Sequence, residues 1–490
     1  WYRKHFTVSK DMEGKAVRLD FGGVYMNATV WVNGTQLGVH PYGYTPFSFD
    51  ISDYLNYEGE NIVTVKVDHK TPSSRWYSGS GIYRSVYLTV MDEVHVDLYG
   101  TKITTPNLEK EKNGTVNMNV VTTVANDSEQ AADVVLTHTV YEKGTENSIG
   151  TVTTKAQSVK AGEAAEISAT LPAEKPALWD ITDPNLYTVV TEVKVGNDVV
   201  DTYETEFGFR YFKFETATGF YLNGEPVKLK GVCQHHDQGS LGAEAYYRAI
   251  ERQVEILQEM GCNSIRVTHN PAAYELIEIC NAKGMLVIEE AFDGWMYPKN
   301  GNSNDYSVWF ETAIEAGNQL IGADAEPMAV SANDNILGAA NGLTWAQYDL
   351  TSMIRRGQNA PSIIMWSLGN EVWEGAGGEN DFPKVAATLI QWATALDSSR
   401  PSTIGDNKLQ GLNGNSIKMA ESLTAAGGIV GANYGNSTEY DSIYNRLKNL
   451  EGFALYGSET ASHVNSRGVY YKIDGGQSNK ELTSYDNSKV

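Results

Sequence analysis

The sequence predicts a multidomain chain of three parts: a jelly-roll β-sandwich over residues 1–97, an immunoglobulin-like β-sandwich over 98–209, and a (β/α)8 TIM barrel over 210–490. Three observations predict it. Up to about residue 209 the apolar residues recur with period two, the mark of strands with one buried face. Near residue 210 the rhythm changes to short apolar runs alternating with helical stretches, which implies a parallel sheet. The length, 490 residues, accommodates about three domains at roughly 150 residues each.

In the first part Val17, Leu19 and Phe21 alternate with charged residues. Val24, Met26, Ala28, Val30 and Val32 then alternate with Tyr25, Asn27, Thr29, Trp31 and Asn33. Asn33-Gly34 is a strong signal for a type I′ hairpin turn. Val63, Val65 and Val67 mark another strand, and Val86, Leu88 and Val90 a further one. In the second part Val116, Met118, Val120 and Val124 share one face, Val134, Leu136 and Val140 belong to the next strand, and Leu186–Val195 to a later one. Several strands in this length suggest an immunoglobulin-like sandwich. The three cysteines, Cys233, Cys262 and Cys280, all lie beyond it, so this sandwich lacks the usual disulfide.

In the third part strands are expected at Val227–Cys233, Ser264–Val267, Met285–Glu289, Ile363–Leu368, Thr403–Ile404, Ile429–Ala432 and Phe453–Tyr456. Helical stretches such as Tyr246–Met260, Ala272–Lys283 and Val385–Leu396 lie between them. These strands suit a barrel better than a flat doubly wound sheet. Residues 302–345, polar and rich in Asn and Ala, read as an insertion over the barrel mouth. The tail Thr460–Val490 is polar, so the barrel is expected to be cut after its seventh strand. Trp1 in place of Met points to a processed or cut N-terminus.

Composition narrows the partners. With 38 Lys+Arg against 61 Asp+Glu the net charge is −23, which repels phosphate backbones and argues against nucleic acid. No apolar run reaches the roughly 18 residues of a membrane span. Aromatics make up 10% of the chain; such rings stack on sugar faces, although strand-rich chains carry many in any case. A cytoplasmic and a secreted location both stay open, as does a homo-oligomer.

In a barrel of this kind chemistry sits at the C-terminal ends of the strands. The run 362–368 leads into Gly369-Asn370-Glu371, and Leu455-Tyr456 into Gly457-Ser458-Glu459. These ends belong to the fourth and seventh strands, which can face each other across the mouth. Two opposed carboxylates are what glycosidic cleavage needs, one protonated to donate to the leaving oxygen and one ionised to attack the anomeric carbon. Repulsion and burial raise the pKa of the acid in such a pair. A lone strand-end glutamate more often caps a helix or pairs with arginine; two at these ends point to catalysis.

Ser367-Leu368-Gly369-Asn370-Glu371 resembles the acid/base motif of glycoside hydrolase family 2, which holds β-galactosidases, β-glucuronidases and β-mannosidases. Val30-Trp31-Val32-Asn33-Gly34, the Arg75–Arg84 stretch, Leu178-Trp179 through Pro184–Tyr187, Phe207-Gly208-Phe209-Arg210 and Leu222-Asn223-Gly224 resemble that family's segments along most of the chain. The resemblance implies Glu371 as acid/base and Glu459 as nucleophile. It implies Asn370 on the sugar 2-hydroxyl, Arg266 holding the nucleophile ionised, and Tyr434 donating to the same carboxylate. It also implies His269 on ring hydroxyls and His235 lining the mouth.

Trp295 reads equally as an aglycone platform or a core tryptophan. His235-His236-Asp237 has the look of a metal cluster, but neighbours on an extended strand point to opposite faces. The stretch Glu289–Trp295 lacks the histidine with which some relatives bind magnesium, so no catalytic metal and no cofactor are expected. Gly457–Ser462, followed by Ser466-Arg467-Gly468, resembles the β-galactosidase branch. The expected activity is a retaining, exo-acting β-galactosidase acting on a carbohydrate. A β-glucuronidase of the same family and a non-catalytic carbohydrate-binding protein are the alternatives.

Overall fold

A computed structural model of the chain describes residues 1–328, 342–372 and 382–460. The N-terminal sandwich packs two antiparallel sheets. One orders Tyr2–Thr7, Glu60–Val67, Ala28–Val32 and Thr35–His40; the other orders Phe47–Asp50, Ala16–Phe21 and Val86–Met91. Asn33 and Gly34 take φ of 49° and 86° between Val32 and Thr35, the left-handed pair that a type I′ turn requires. The Asn33 amide then bonds Tyr54 O at 2.7 Å and Asn61 Oδ1 at 2.8 Å, pinning the hairpin to the next strand.

Two sequence expectations need correcting here. The alternation over 24–32 is split into Val24–Tyr25 and Ala28–Val32, because Asn27 turns left-handed at φ 52°. Val86 and Leu88 are each 41% exposed: their strand is the edge of its sheet, and period two says which residues share a face but not that the face is covered.

The second sandwich sets Val94–Thr104, Thr115–Asn126 and Glu163–Glu174 against a sheet of Ser148–Thr153, Ala132–Glu142, Tyr187–Val195 and Asp198–Phe207. Val116, Met118, Val120, Val124, Val134, Leu136 and Val140 are all fully buried between the two. At about 25 cal/mol per Å2 of apolar surface, each such valine or leucine contributes roughly 1.5–3 kcal/mol, and this burial holds the sandwich without a cross-link. The three cysteines are free thiols.

The third part opens with a small antiparallel meander, Phe212–Glu215, Gly219–Leu222 and Glu225–Pro226. Phe220 and Leu222 from it pack with Leu286, Ile288, Ile364, Met365 and Ile429, closing the bottom of the barrel. Val227 N–H donates to Phe220 O, so the first parallel strand is only Gly231–Gln234, shorter than the run 227–233 implied. The remaining strands are Ser264–Val267, Leu286–Glu290, Ile363–Asn370, Ser402–Asp406, Ile429–Asn433 and Leu455–Glu459, parallel and adjacent in chain order. Helices Tyr247–Glu259, Tyr274–Lys283, Trp345–Gly357, Phe382–Leu396, Gly414–Ala425 and Ser437–Leu447 alternate with them. Among the described residues no ladder joins the seventh strand to the first, but the Cys233 thiol donates to Ser458 O at 3.4 Å across that seam.

The segment after residue 302 ties the barrel to the first sandwich. Gln319 N–H donates to Leu37 O at 3.0 Å, Ile321 N–H to Ser48 O at 2.9 Å, and the Asn318 amide to Val39 O at 2.9 Å. Deeper in, Asp349 on the helix Trp345–Gly357 accepts from Thr45 and Tyr306 and meets His40 Nε2 at 2.9 Å, all fully or nearly fully buried. The sandwich is thereby fixed beside the mouth of the barrel. No helix among the described residues is long and apolar enough to cross a membrane.

Candidate active site

Because the strands are parallel, their C-terminal residues converge on one face. Asn370 ends the fourth strand and Glu371 follows it at φ 42°; Asn433 ends the sixth and Tyr434 follows at φ 59°. Left-handed backbone at a non-glycine residue costs of order 1 kcal/mol, and here it turns the chain sharply off both strand ends beside the carboxylates.

The centre of the site is Arg266, which is 3% exposed. Its Nη1 donates to Glu459 Oε1 at 2.7 Å, its Nε to Glu290 Oε2 at 2.9 Å, and its Nη2 to Asn370 Oδ1 at 3.2 Å. A buried guanidinium is tolerable only with its planar donor fork satisfied in this way. Gly405 makes the space, since a Cβ there would sit 2.6 Å from Arg266 Nη2. Glu290 is fully buried and also accepts from Ser367 Oγ at 2.6 Å and faces His269 Nδ1 at 2.6 Å.

Glu459 takes further donors. Tyr434 OH donates to its Oε2, and Asn433 Nδ2 to its Oε1 at 3.1 Å. Burial works against ionisation of Glu459, yet its carboxyl lies below the usual range through His269, Arg266 and the Tyr434 hydroxyl. Burial and the Arg266 charge push His269 down to about 3, so it is neutral at pH 7 and Arg266 is the cation that holds Glu459 ionised. Burial, helped by His269, likewise pushes His235 down to about 3.

Glu371 Oε1 accepts from the same Asn433 Nδ2, at 3.0 Å. Two oxygens bonded to one nitrogen can be no further apart than the two bonds laid end to end, about 6 Å.

The first sandwich reaches into this site. Arg75 donates to Asp293 at 3.1 and 2.7 Å, and Trp76 lies 4.3 Å from the His235 ring and 5.5 Å from the His269 ring. Asp293 also takes Lys299 Nζ at 2.9 Å and Asn370 Nδ2 at 3.1 Å. Burial alone would raise the Asp293 pKa, but Lys299 and Arg75 drive it far below the carboxylate range.

Seven of the eight predicted site residues, Glu371, Glu459, Asn370, His269, His235, Arg266 and Tyr434, therefore gather at one mouth. Trp295 does not join them. It is fully buried, donates to Leu368 O at 2.9 Å and stacks on Phe382. It presents no face to a ligand and is a core residue, not an aglycone platform. His235 and His236 lie just past the first strand and part nonetheless: His235 meets Trp76 and His236 packs on Tyr44, with ring centroids 4.3 and 5.0 Å apart. Among the described residues no group of three or more His, Cys, Asp or Glu is placed to hold a metal.

Sequence reasoning missed Glu290, Asn433, Asp293, Lys299, Arg75 and Trp76 as site residues. Glu290 and Asn433 each lie one residue past the expected end of their strand, where a strand-end rule would have found them. The Ala461-Ser462 and Ser466–Gly468 part of the sugar-branch motif lies outside the described residues.

Comparison with known proteins settles the family. Family models match in series: the sugar binding domain of glycosyl hydrolases family 2 at residues 1–91, a further model of that family at 94–210, and its TIM barrel domain at 215–426. The chain belongs to glycosyl hydrolases family 2. Among family 2 relatives, "Beta-galactosidase BoGH2A" of Bacteroides ovatus is 35% identical over 96% of this chain and 53% of its own length. A solved family 2 member from Bacteroides cellulosilyticus superposes with a TM-score of 0.80 at 33% identity, covering 94% of this chain and 53% of that one. The β-glucuronidase of Bacteroides uniformis follows with a TM-score of 0.74 at 26% identity, covering 95% of this chain and 54% of that one. The chain thus spans about half the length of these proteins.

Proposed function

We propose that this chain carries the catalytic centre of a retaining, exo-acting β-galactosidase. The observation that carries the reading is the pair Glu371 and Glu459, joined through one amide nitrogen and oppositely furnished. Glu459 is held as a carboxylate by Arg266, Asn433 and Tyr434.

In the first step Glu459 attacks the anomeric carbon while Glu371 gives its proton to the departing glycosidic oxygen, leaving a glycosyl-enzyme ester. In the second, Glu371, now a base, takes a proton from water as that water attacks the same carbon and Glu459 departs. Asn370 Nδ2 gives one hydrogen to Asp293; its other hydrogen suits the sugar 2-hydroxyl. His269, neutral and donating from Nδ1 to Glu290, offers Nε2 as an acceptor for a ring hydroxyl. Trp76 supplies the aromatic wall expected of a sugar site, and His235 stands against it.

The galactosidase relative supports galactose, and the −23 charge favours a neutral sugar. The glucuronidase neighbour supports the second reading, a glucuronide. A binding protein without catalysis has no use for three donors spent on one carboxylate. A panel of nitrophenyl β-glycosides on the full-length protein decides: galactoside turnover is expected, turnover of glucuronide alone replaces the sugar, and sugar binding without turnover of any glycoside replaces the chemistry.

A further inference from the structure

Asn433 is fully buried at the end of the sixth barrel strand and enters the reading above only through its bonds to Glu371 and Glu459. Its environment is unusual. The Nδ2 atom has acceptors at 3.0 Å (Glu371 Oε1), 3.1 Å (Glu459 Oε1) and 3.2 Å (Asn370 Oδ1). An amide nitrogen carries two hydrogens, so three acceptors compete for two. On the other side Ser458 Oγ donates to Asn433 Oδ1. That contact suits this setting of the amide, and the carboxylates decide it, because a flipped amide would turn its oxygen towards the oxygens of Glu371 and Glu459, acceptor against acceptor. The main chain is held too, since the Gln410 amide donates to Asn433 O. The space is limited: a Cβ on Gly405 would stand 3.1 Å from Asn433 Oδ1, and one on Gly431 3.0 Å from Ser458 Oγ.

We infer that Asn433, steadied by Ser458, is the positioning residue that sets the two glutamates at working separation and directs the proton of Glu371 to its Oε2. The inference rests on the glycosidase reading for its kinetic consequence, and on geometry alone for its structural one. When Oε1 of Glu371 accepts an N–H from Asn433, it cannot also hold a proton on that lone pair. The carbonyl oxygen of a protonated carboxyl is also the better acceptor, so this bond favours the acid proton on Oε2. In the same state Asn433 gives its second hydrogen to Glu459 and so favours that carboxylate ionised. One side chain thus tells the two glutamates apart from a common point. Neighbouring Asn370 loses the competition for a hydrogen, and its Oδ1 is left to Arg266.

The test uses the full-length protein and the variants Asn433→Ala, Asn433→Asp and Ser458→Ala. Crystal structures of wild type and Asn433→Ala give the first readout. The expected result is that the Glu371 and Glu459 carboxyls move apart by more than about 1 Å; unchanged positions overturn the inference, whether or not any glycoside is turned over. The second readout is the pH profile of kcat/KM on a nitrophenyl galactoside. Asn433→Ala is expected to fall about 100-fold, the cost of misplacing reacting groups by about 1 Å. Both limbs should move to higher pH, since each carboxylate loses a donor to its ionised form. Asn433→Asp places a third carboxylate there and should move the basic limb further still. Ser458→Ala is expected to shift the limbs the same way by less. A fall in rate with both limbs unmoved would mark Asn433 as merely structural and overturn the inference. A wild-type protein inert to every glycoside would defeat the glycosidase reading and leave the crystallographic comparison to decide on Asn433.

Discussion

Replacing Arg266 by methionine removes the charge at the centre of the site while keeping most of the side-chain volume. Arg266 is 3% exposed and faces two carboxylates, Glu290 with its side chain fully buried and Glu459 with 12% exposed. The variant leaves Glu290 with His269 and Ser367 as its partners and without a cation in contact. Breaking a buried pair from one side costs about 3–5 kcal/mol. At about 2–4 °C per kcal/mol for a domain of this size, the barrel transition should fall by roughly 6–20 °C. The pH dependence has a definite sign. The Glu459 carboxyl lies below its ordinary value, so its pairing stabilises above the unfolded pKa of about 4.5 and fades as pH falls through the folded one. Glu290 is shifted upwards by burial, so it too is protonated in acid and needs Arg266 less. The gap between wild type and variant is therefore largest near pH 7 and narrows below about pH 4.5. In initial rates on a nitrophenyl galactoside the acidic limb of kcat/KM should move up by about 1–3 units as Glu459 loses its cation. Thermal unfolding at pH 7 and pH 4, run beside the rate profile, checks both. A stability loss below about 1 kcal/mol together with an unmoved acidic limb would refute the assignment of Arg266 as the ionising charge.

Three further outcomes are expected. Trp295→Ala should lower stability by about 3–5 kcal/mol, as for a large aromatic lost from a core, and leave KM unchanged in the folded fraction; a raised KM with intact stability would restore it as a platform. Trp76→Ala should raise KM about 2–12-fold, the equivalent of 0.5–1.5 kcal/mol of ring contact, with kcat little changed, as read from saturation curves. Glu371→Gln should cut turnover of a glycoside with a poor leaving group by about 100–10,000-fold, and that of an activated dinitrophenyl glycoside far less, because its leaving group needs no proton.

The parts of this architecture that were legible in the sequence are those governed by periodicity. Valine alternation marked the strands of both sandwiches, and the change of rhythm near residue 210 marked the barrel. Glu371 and Glu459 stood out because a strand end on a parallel barrel has one destination, the mouth. The rest depends on what comes together in three dimensions. Asn433 and Glu290 were cut off by strand ends drawn one residue early. Arg75 and Trp76 arrive from another domain, and Lys299 from an irregular stretch, so no spacing in the chain links them to Glu371. Trp295 shows the converse: its position beside a strand end suggested function, but whether an indole faces a groove or a core is decided by what packs over it, here Phe382 and the Leu368 carbonyl. Val86 and Leu88 repeat the point on a sheet edge.

The central claim is that Glu459 forms a covalent bond to the sugar. A fluorinated galactoside that loads the enzyme quickly and leaves it slowly, followed by peptide mass spectrometry of the full-length protein, tests it directly. The account predicts one added glycosyl mass on the peptide containing Glu459, and none in Glu459→Gln. The same mass on another residue, or steady hydrolysis by Glu459→Gln, would contradict it.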